Sequence, residues 1–174
     1  MKASGKNLKR RLYGIARLRD RISRVRHFRG HGVHSPFVYS IVRNVFMRSK
    51  FITDDIYYTT IVYEALLEQH MPQKRALQLA NLCAHCGYRE ISYSRPCAAD
   101  MMVVPQNIEP ENFATYVQVA GECGATLVIM APYLNHKRDM ACREIVAQHK
   151  STTVDNRGYL LIFNNHLPKQ HFRL

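Results

Sequence analysis

Apolar residues recur at Leu8, Leu12, Ile15, Leu18, Ile22, Val25 and Phe28, at steps of three or four. That period draws one stripe along a helix and predicts a helix from Asn7 to Arg29. Gly30 and Gly32 should stop it, because glycine reaches backbone angles closed to other residues. Ser35 followed by Pro36 reads as an N-cap and a first helical position. The helix they open should run to about Phe46, with Phe37, Ile41 and Val45 on one side. Thr53, with Asp54 and Asp55 behind it, marks another start, and that helix should reach about Gln69. Pro72 opens a fourth helix that ends at Gly87.

Past residue 88 the period shortens. Arg89–Tyr93, Met101–Val104, Thr126–Ala131, Thr152–Asp155 and Tyr159–Phe163 are short β-like runs. Helical patterns over Pro110–Cys123 and His136–His149 fall between the second, third and fourth runs, which predicts parallel strands joined by crossovers. Asn156, Arg157 and Gly158 leave room only for an antiparallel hairpin between the last two runs. No internal repeat or low-complexity tract interrupts the pattern.

Composition then adds one asymmetry. The 174 residues are 47% hydrophobic and 22% charged, the balance of a folded domain with a real core. The net charge of +12 is unevenly placed. Residues 1–50 carry 14 Lys and Arg against a single acid, Asp20, and residues 51–174 carry 11 against 12. The predicted organisation is therefore a basic helical extension over 1–50 and a reduced α/β domain over 51–174. Arg10, Arg11, Arg17, Arg21 and Arg24 lie mostly off the apolar stripe, where they could meet an anionic surface. That surface is RNA or an acidic protein face in one reading, and an anionic membrane with the apolar stripe down in a lesser one.

Arginines interrupt every apolar stretch near the start, so the chain lacks the apolar core of a secretory leader. No apolar run approaches the roughly 20 residues that cross a bilayer. With five cysteines, an odd number, reduced thiols and a cytoplasmic location are expected.

The corner RGHGVHSPFVYSIVRNVF and the closing stretch STTVDNRGYLLIFNNHLPKQHF together resemble a bacterial family of class I S-adenosylmethionine-dependent methyltransferases. The likeness covers roughly residues 25–85 and 124–172 and fails between them. It implies a Rossmann-like sheet with a closing β-hairpin, preceded by a helical extension, and S-adenosylmethionine at the carboxyl ends of the first strands. In such folds a glycine-rich turn lets backbone approach the ligand, and an acid after the next strand holds the ribose. Here REISY is followed by SRPCAADMM, and the chain has no glycine between Gly87 and Gly121. Seven residues, Ser94–Asp100, join the first two runs, whereas a parallel crossover usually takes about a dozen or more. The unit that would cradle the cofactor is thus shortened, and neither cofactor-binding nor catalytic residues can be placed. The expectation is a methyltransferase-like protein with weak or lost activity; the alternative is a non-enzymatic scaffold that binds RNA or another anionic surface. A ligand-sized hollow lined by main-chain amides just past Tyr93 would argue that the chemistry is retained.

The other candidates weigh less. His31 and His34, with His27 nearby, could cover a pocket, but no Cys, Asp or Glu flanks them to complete a metal site, so a structural corner is favoured and no metal is expected. The CAHC stretch, Cys83–Cys86, closes a helix rather than opening one, and Leu79, Cys83 and Cys86 share a face, so core packing is expected. Asp155 precedes an Asn-Arg-Gly turn and is read as turn chemistry.

Overall fold

A computed structural model describes residues 33–52 and 56–174. The Arg-rich segment, His31 and the Thr53–Asp55 start lie outside the described residues.

The chain enters through α1 (Pro36–Ile41), where the Ser35 side chain accepts from the amide of Val38 and Pro36 takes the first turn. The helix continues as a π-helical turn over Val42–Phe46. Next come α2 (Ile56–Glu68) and α3 (Gln73–Cys86). Gly87 ends α3 with φ +72°, and the Tyr88 amide closes back on the Cys83 carbonyl. The strands are β1 (Ile91–Tyr93), β2 (Met101–Val104), β3 (Thr126–Met130), β4 (Thr152–Asp155), β5 (Tyr159–Ile162) and β6 (Gln170–Arg173). A 3-10 turn at Pro110–Asn112 leads into α4 (Phe113–Cys123), and α5 (His136–Gln148) follows β3.

These six strands form one sheet in the order β1-β2-β3-β5-β4-β6. β1, β2 and β3 are parallel neighbours, β5 runs antiparallel between β3 and β4, and β6 lies parallel to β4. The expected hairpin is present, with Asp155 opposite Leu160. β6 was not expected; its residues are exposed or half-buried, so it lacks the apolar run that marks the other strands.

Both faces are covered, which explains why β2, β3 and β5 read as continuous apolar runs rather than alternating ones. Met101, Val103, Val128, Tyr159 and Leu161 pack with Val38, Ile41 and Val45 and with Leu79, Leu82 and Cys83 of α3. Met102, Val104, Leu127, Ile129 and Ile162 pack with Phe113, Tyr116 and Ala120 of α4 and Cys142 of α5. Residues 38–45, part of the predicted extension, thus share the sheet's own core.

The parallel link between β1 and β2 is made without a helix. The strands are three and four residues long, so the chain need only return about 10 Å, and seven residues can reach roughly 23 Å. The connector is pinned at both ends. Ser94 turns it with φ +61°, the Ser92 hydroxyl donates to Arg95 O at 2.6 Å, and the Tyr116 hydroxyl of α4 donates to Ser94 O at 2.8 Å. At its far end the Asp100 carboxylate accepts from the amides of Arg89 and Glu90 at 2.6 and 2.9 Å.

Candidate functional site: the crevice at the strand ends

β1, β2 and β3 all deliver their carboxyl ends to the same side, and a crevice of about 570 Å³ opens there. Its volume falls in the range of small-molecule sites, roughly 300–1,000 Å³. Tyr93 and Ser94 contribute from the end of β1, Gln106 and Asn107 from beyond β2, Ala131 from beyond β3, and Gly158 from the hairpin. The end of α2 and the start of α3 complete it with Glu68, His70 and Arg75. A larger groove of about 740 Å³ runs between α4 and α5, away from the strand ends.

The hollow past Tyr93 therefore exists in size. Its amides are another matter: Ser94 N donates to Val103 O at 3.0 Å, and Ala131 N donates to Gly158 O at 2.8 Å. Both residues hold positive φ, +61° and +48°, in positions where a glycine would turn without strain. The backbone turns sharply at both places, and both amides are already hydrogen-bonded inside the protein.

One buried arginine organises the rim. Arg138, on the first turn of α5, is 1% exposed, and Asn135 caps that turn by accepting from the Arg138 amide at 2.8 Å. Its guanidinium donates to Met130 O at 3.1 and 2.9 Å, to Pro105 O at 3.0 Å and to Ile108 O at 2.6 Å. It also lies 4.8 Å from the Phe113 ring centroid. Burial pushes its pKa down, and the carbonyls compensate the charge in place of a carboxylate. The loops after β2 and β3 are thereby tied together from the α5 side.

Arg75 reaches the crevice from the other side. Its Nη1 donates to Gln78 Oε1 at 2.8 Å, and its guanidinium carbon lies 5.5 Å from the Tyr159 ring centroid. Gln78 is buried and also accepts from the Tyr159 hydroxyl at 3.2 Å and the Asn156 amide at 3.5 Å. A Cβ on Gly158 would fall 2.4 Å from Arg75 Nε, so the absence of a side chain there is what admits the guanidinium.

Of the residues singled out in the sequence, those that are described do not converge on this place. Arg10, Arg11, Arg17, Arg21, Arg24 and His31 lie outside the described residues, and His34 is exposed and does not line the crevice. Phe37, at the start of α1, stacks edge-on against Phe163 with centroids 5.1 Å apart. β5 runs antiparallel, with Tyr159 beside Met130 and Ile162 beside Leu127, so Phe163 is at the opposite end of the sheet from the crevice. Cys83 is fully buried and its thiol is pushed up by desolvation, while Cys86 is half-buried and raised for the same reason. Asp155 is buried, receives the Tyr133 hydroxyl and accepts from the Arg157 amide at 2.9 Å, as a turn-forming carboxylate does. Among the described residues no three His, Cys, Asp or Glu side chains converge on a metal position, and no helix is long and apolar enough to cross a membrane.

Sequence reasoning passed over Arg75 and Arg138. For Arg138 a signal exists, because it falls on the α5 face of Cys142, one turn away, and that face is buried. For Arg75 none does; its role depends on Gly158 and Tyr159, more than eighty residues away.

Compared with family models, with curated proteins and with solved structures, the chain matches none.

Proposed function

We propose that this chain is a methyltransferase-like α/β domain, reduced around its cofactor cradle, that binds a small ligand at the strand ends without transferring a methyl group. The observation that carries the reading is the helix-free connector from Tyr93 to Met101. It sets β2 directly beside β1 in seven residues, and the amides at Ser94 and Ala131 are already bonded. A nucleoside cofactor would need that backbone for itself. The closing hairpin, with β5 antiparallel inside a parallel set, agrees with the architecture the two chain ends resemble.

Thermal unfolding with S-adenosylmethionine and with its demethylated product tests this. A cofactor at a hundred times its dissociation constant stabilises a fold by ~2.7 kcal/mol. No shift with either compound, and no label transferred from methyl-labelled S-adenosylmethionine to RNA or protein acceptors, is the expected outcome. A shift of that size accompanied by transfer overturns the reading.

A second role rests on the charge division, 14 Lys and Arg against one acid in residues 1–50. In this reading the segment docks the domain on RNA. Retention on RNA should fall steeply between low and moderate salt, as released counterions require, and should vanish on deletion of residues 1–29. Binding to anionic vesicles but not to RNA would favour a lipid surface instead.

A further inference from the structure

We infer that the strand-end crevice is built for a small molecule carrying a carboxylate or phosphate, and that Arg75 is the group that receives it. The inference rests on the crevice being a ligand site and not on the fate of methyl transfer.

Arg75 is a half-buried cation with no carboxylate partner among the described residues; it meets a neutral amide and an aromatic ring. Its position is set from three directions: Gln78 Oε1 accepts from Nη1, the Tyr159 ring centroid lies 5.5 Å from the guanidinium carbon, and bare Gly158 backbone lies against Nε and Nη2. Gln78 is itself locked, since its Nε2 donates to Phe46 O at 3.1 Å and its Oε1 accepts from Tyr159 and Asn156. A planar donor fork held still by buried neighbours is suited to bidentate capture of an oxyanion, because little side-chain entropy remains to be lost.

The rest of the wall agrees in sign. The carbonyls of Met130 and Pro105, which would repel an anion, are consumed by Arg138 from the α5 side. Ser94, Gln106 and Asn107 add side chains that can donate. Glu68 is the one acid among the lining residues and it is exposed.

The test is an amide NMR titration of the full chain with sodium phosphate and, separately, sodium acetate, at ionic strength held constant with sodium chloride. Saturable shifts at the amides of Arg75, Ser94 and Gly158 are expected with at least one of the two anions, and the stronger arm tells phosphate from carboxylate. Arg75→Gln should weaken binding at least tenfold while shifts elsewhere in the spectrum confirm the fold. Gly158→Ala, which displaces the guanidinium but leaves its charge, should weaken binding by an intermediate factor. Shifts confined to residues 1–32, shifts no larger than with chloride, or crevice shifts that survive Arg75→Gln each overturn the inference. Failure here with no methyl transfer leaves the reduced-domain reading standing. Methyl transfer alongside anion binding at Arg75 does the reverse.

Discussion

The Arg138 guanidinium grips the carbonyl of Met130 twice, through Nε at 3.1 Å and Nη2 at 2.9 Å, at the point where β3 gives way to its loop. Two elements of the sheet's carboxyl edge depend on this side chain, since Pro105 and Ile108 beyond β2 share it. Arg138→Ala would strand several buried carbonyls, each worth about 1–3 kcal/mol when left unpaired. The expected loss is on the order of 3 kcal/mol, read as a lower urea midpoint at unchanged slope. Arg138→Lys should recover little of it, because one ammonium cannot span the fork of acceptors.

Backbone strain at the connector gives a prediction of opposite sign. Ser94 sits at φ +61°, a region that costs a residue with a Cβ about 1–2 kcal/mol. Ser94→Gly should therefore stabilise the fold by about 0.5 kcal/mol once glycine's greater unfolded-state freedom is deducted. Gly87 is the converse: its φ is +72° and a Cβ there meets nothing within 4 Å, so Gly87→Ala isolates the backbone penalty, about 1 kcal/mol. Gly121, inside α4 and in open space, should gain about 0.5–1 kcal/mol as alanine. Chemical unfolding of the three single variants checks the two gains and the one loss together.

Stability should fall with acid in two stages. Burial lowers the pKa of His85, whose Nε2 lies 3.1 Å from the Ser40 hydroxyl. The unfolded chain then binds more protons than the folded one as pH drops through the ordinary histidine value near 6.5, so stability is lost there. The amides of Glu90 and Arg89 hold the Asp100 carboxyl below its usual range, so its contribution is present above that range and disappears as pH falls through the folded value. His85→Gln should remove the first stage and Asp100→Asn the second in a pH series of urea midpoints.

Thiol chemistry separates packing from reactivity. Cys97 and Cys123 are exposed, whereas Cys83 and Cys142 are buried, with the Cys142 thiol pushed up to about 12 chiefly by desolvation. Maleimide should label Cys97 and Cys123 in the folded protein and reach Cys83 and Cys142 only after denaturation. Early labelling at Cys83 would contradict the core position of the CAHC stretch.

Much of the fold was legible because period and punctuation agreed. Ser35 and Pro36 announced α1, Gly87 ended α3, and the apolar runs located five of the six strands within a residue or two. β6 escaped because an exposed edge strand held mainly by its backbone writes no apolar pattern. The parallel β1–β2 link ran against the usual crossover length, and only the shortness of both strands makes it feasible. The crevice itself was not expected, since the short Ser94–Asp100 connector pointed to a lost cradle; the family resemblance supplied only the place where a ligand would sit. Its cation comes from the first turn of α3, its floor from the hairpin, and its rim from a buried arginine, contacts that sequence spacing does not encode.

β5 has a consequence for how the molecule comes into being. It bridges the β1-β2-β3 half and the β4-β6 half of the sheet, and its paired residues Leu127 and Ile162 are far apart along the chain. During synthesis the earlier strands must wait, with the β3 edge bare, until Tyr159–Ile162 emerge; an unfinished chain released before Tyr159 would carry an open, apolar edge prone to pairing with its neighbours.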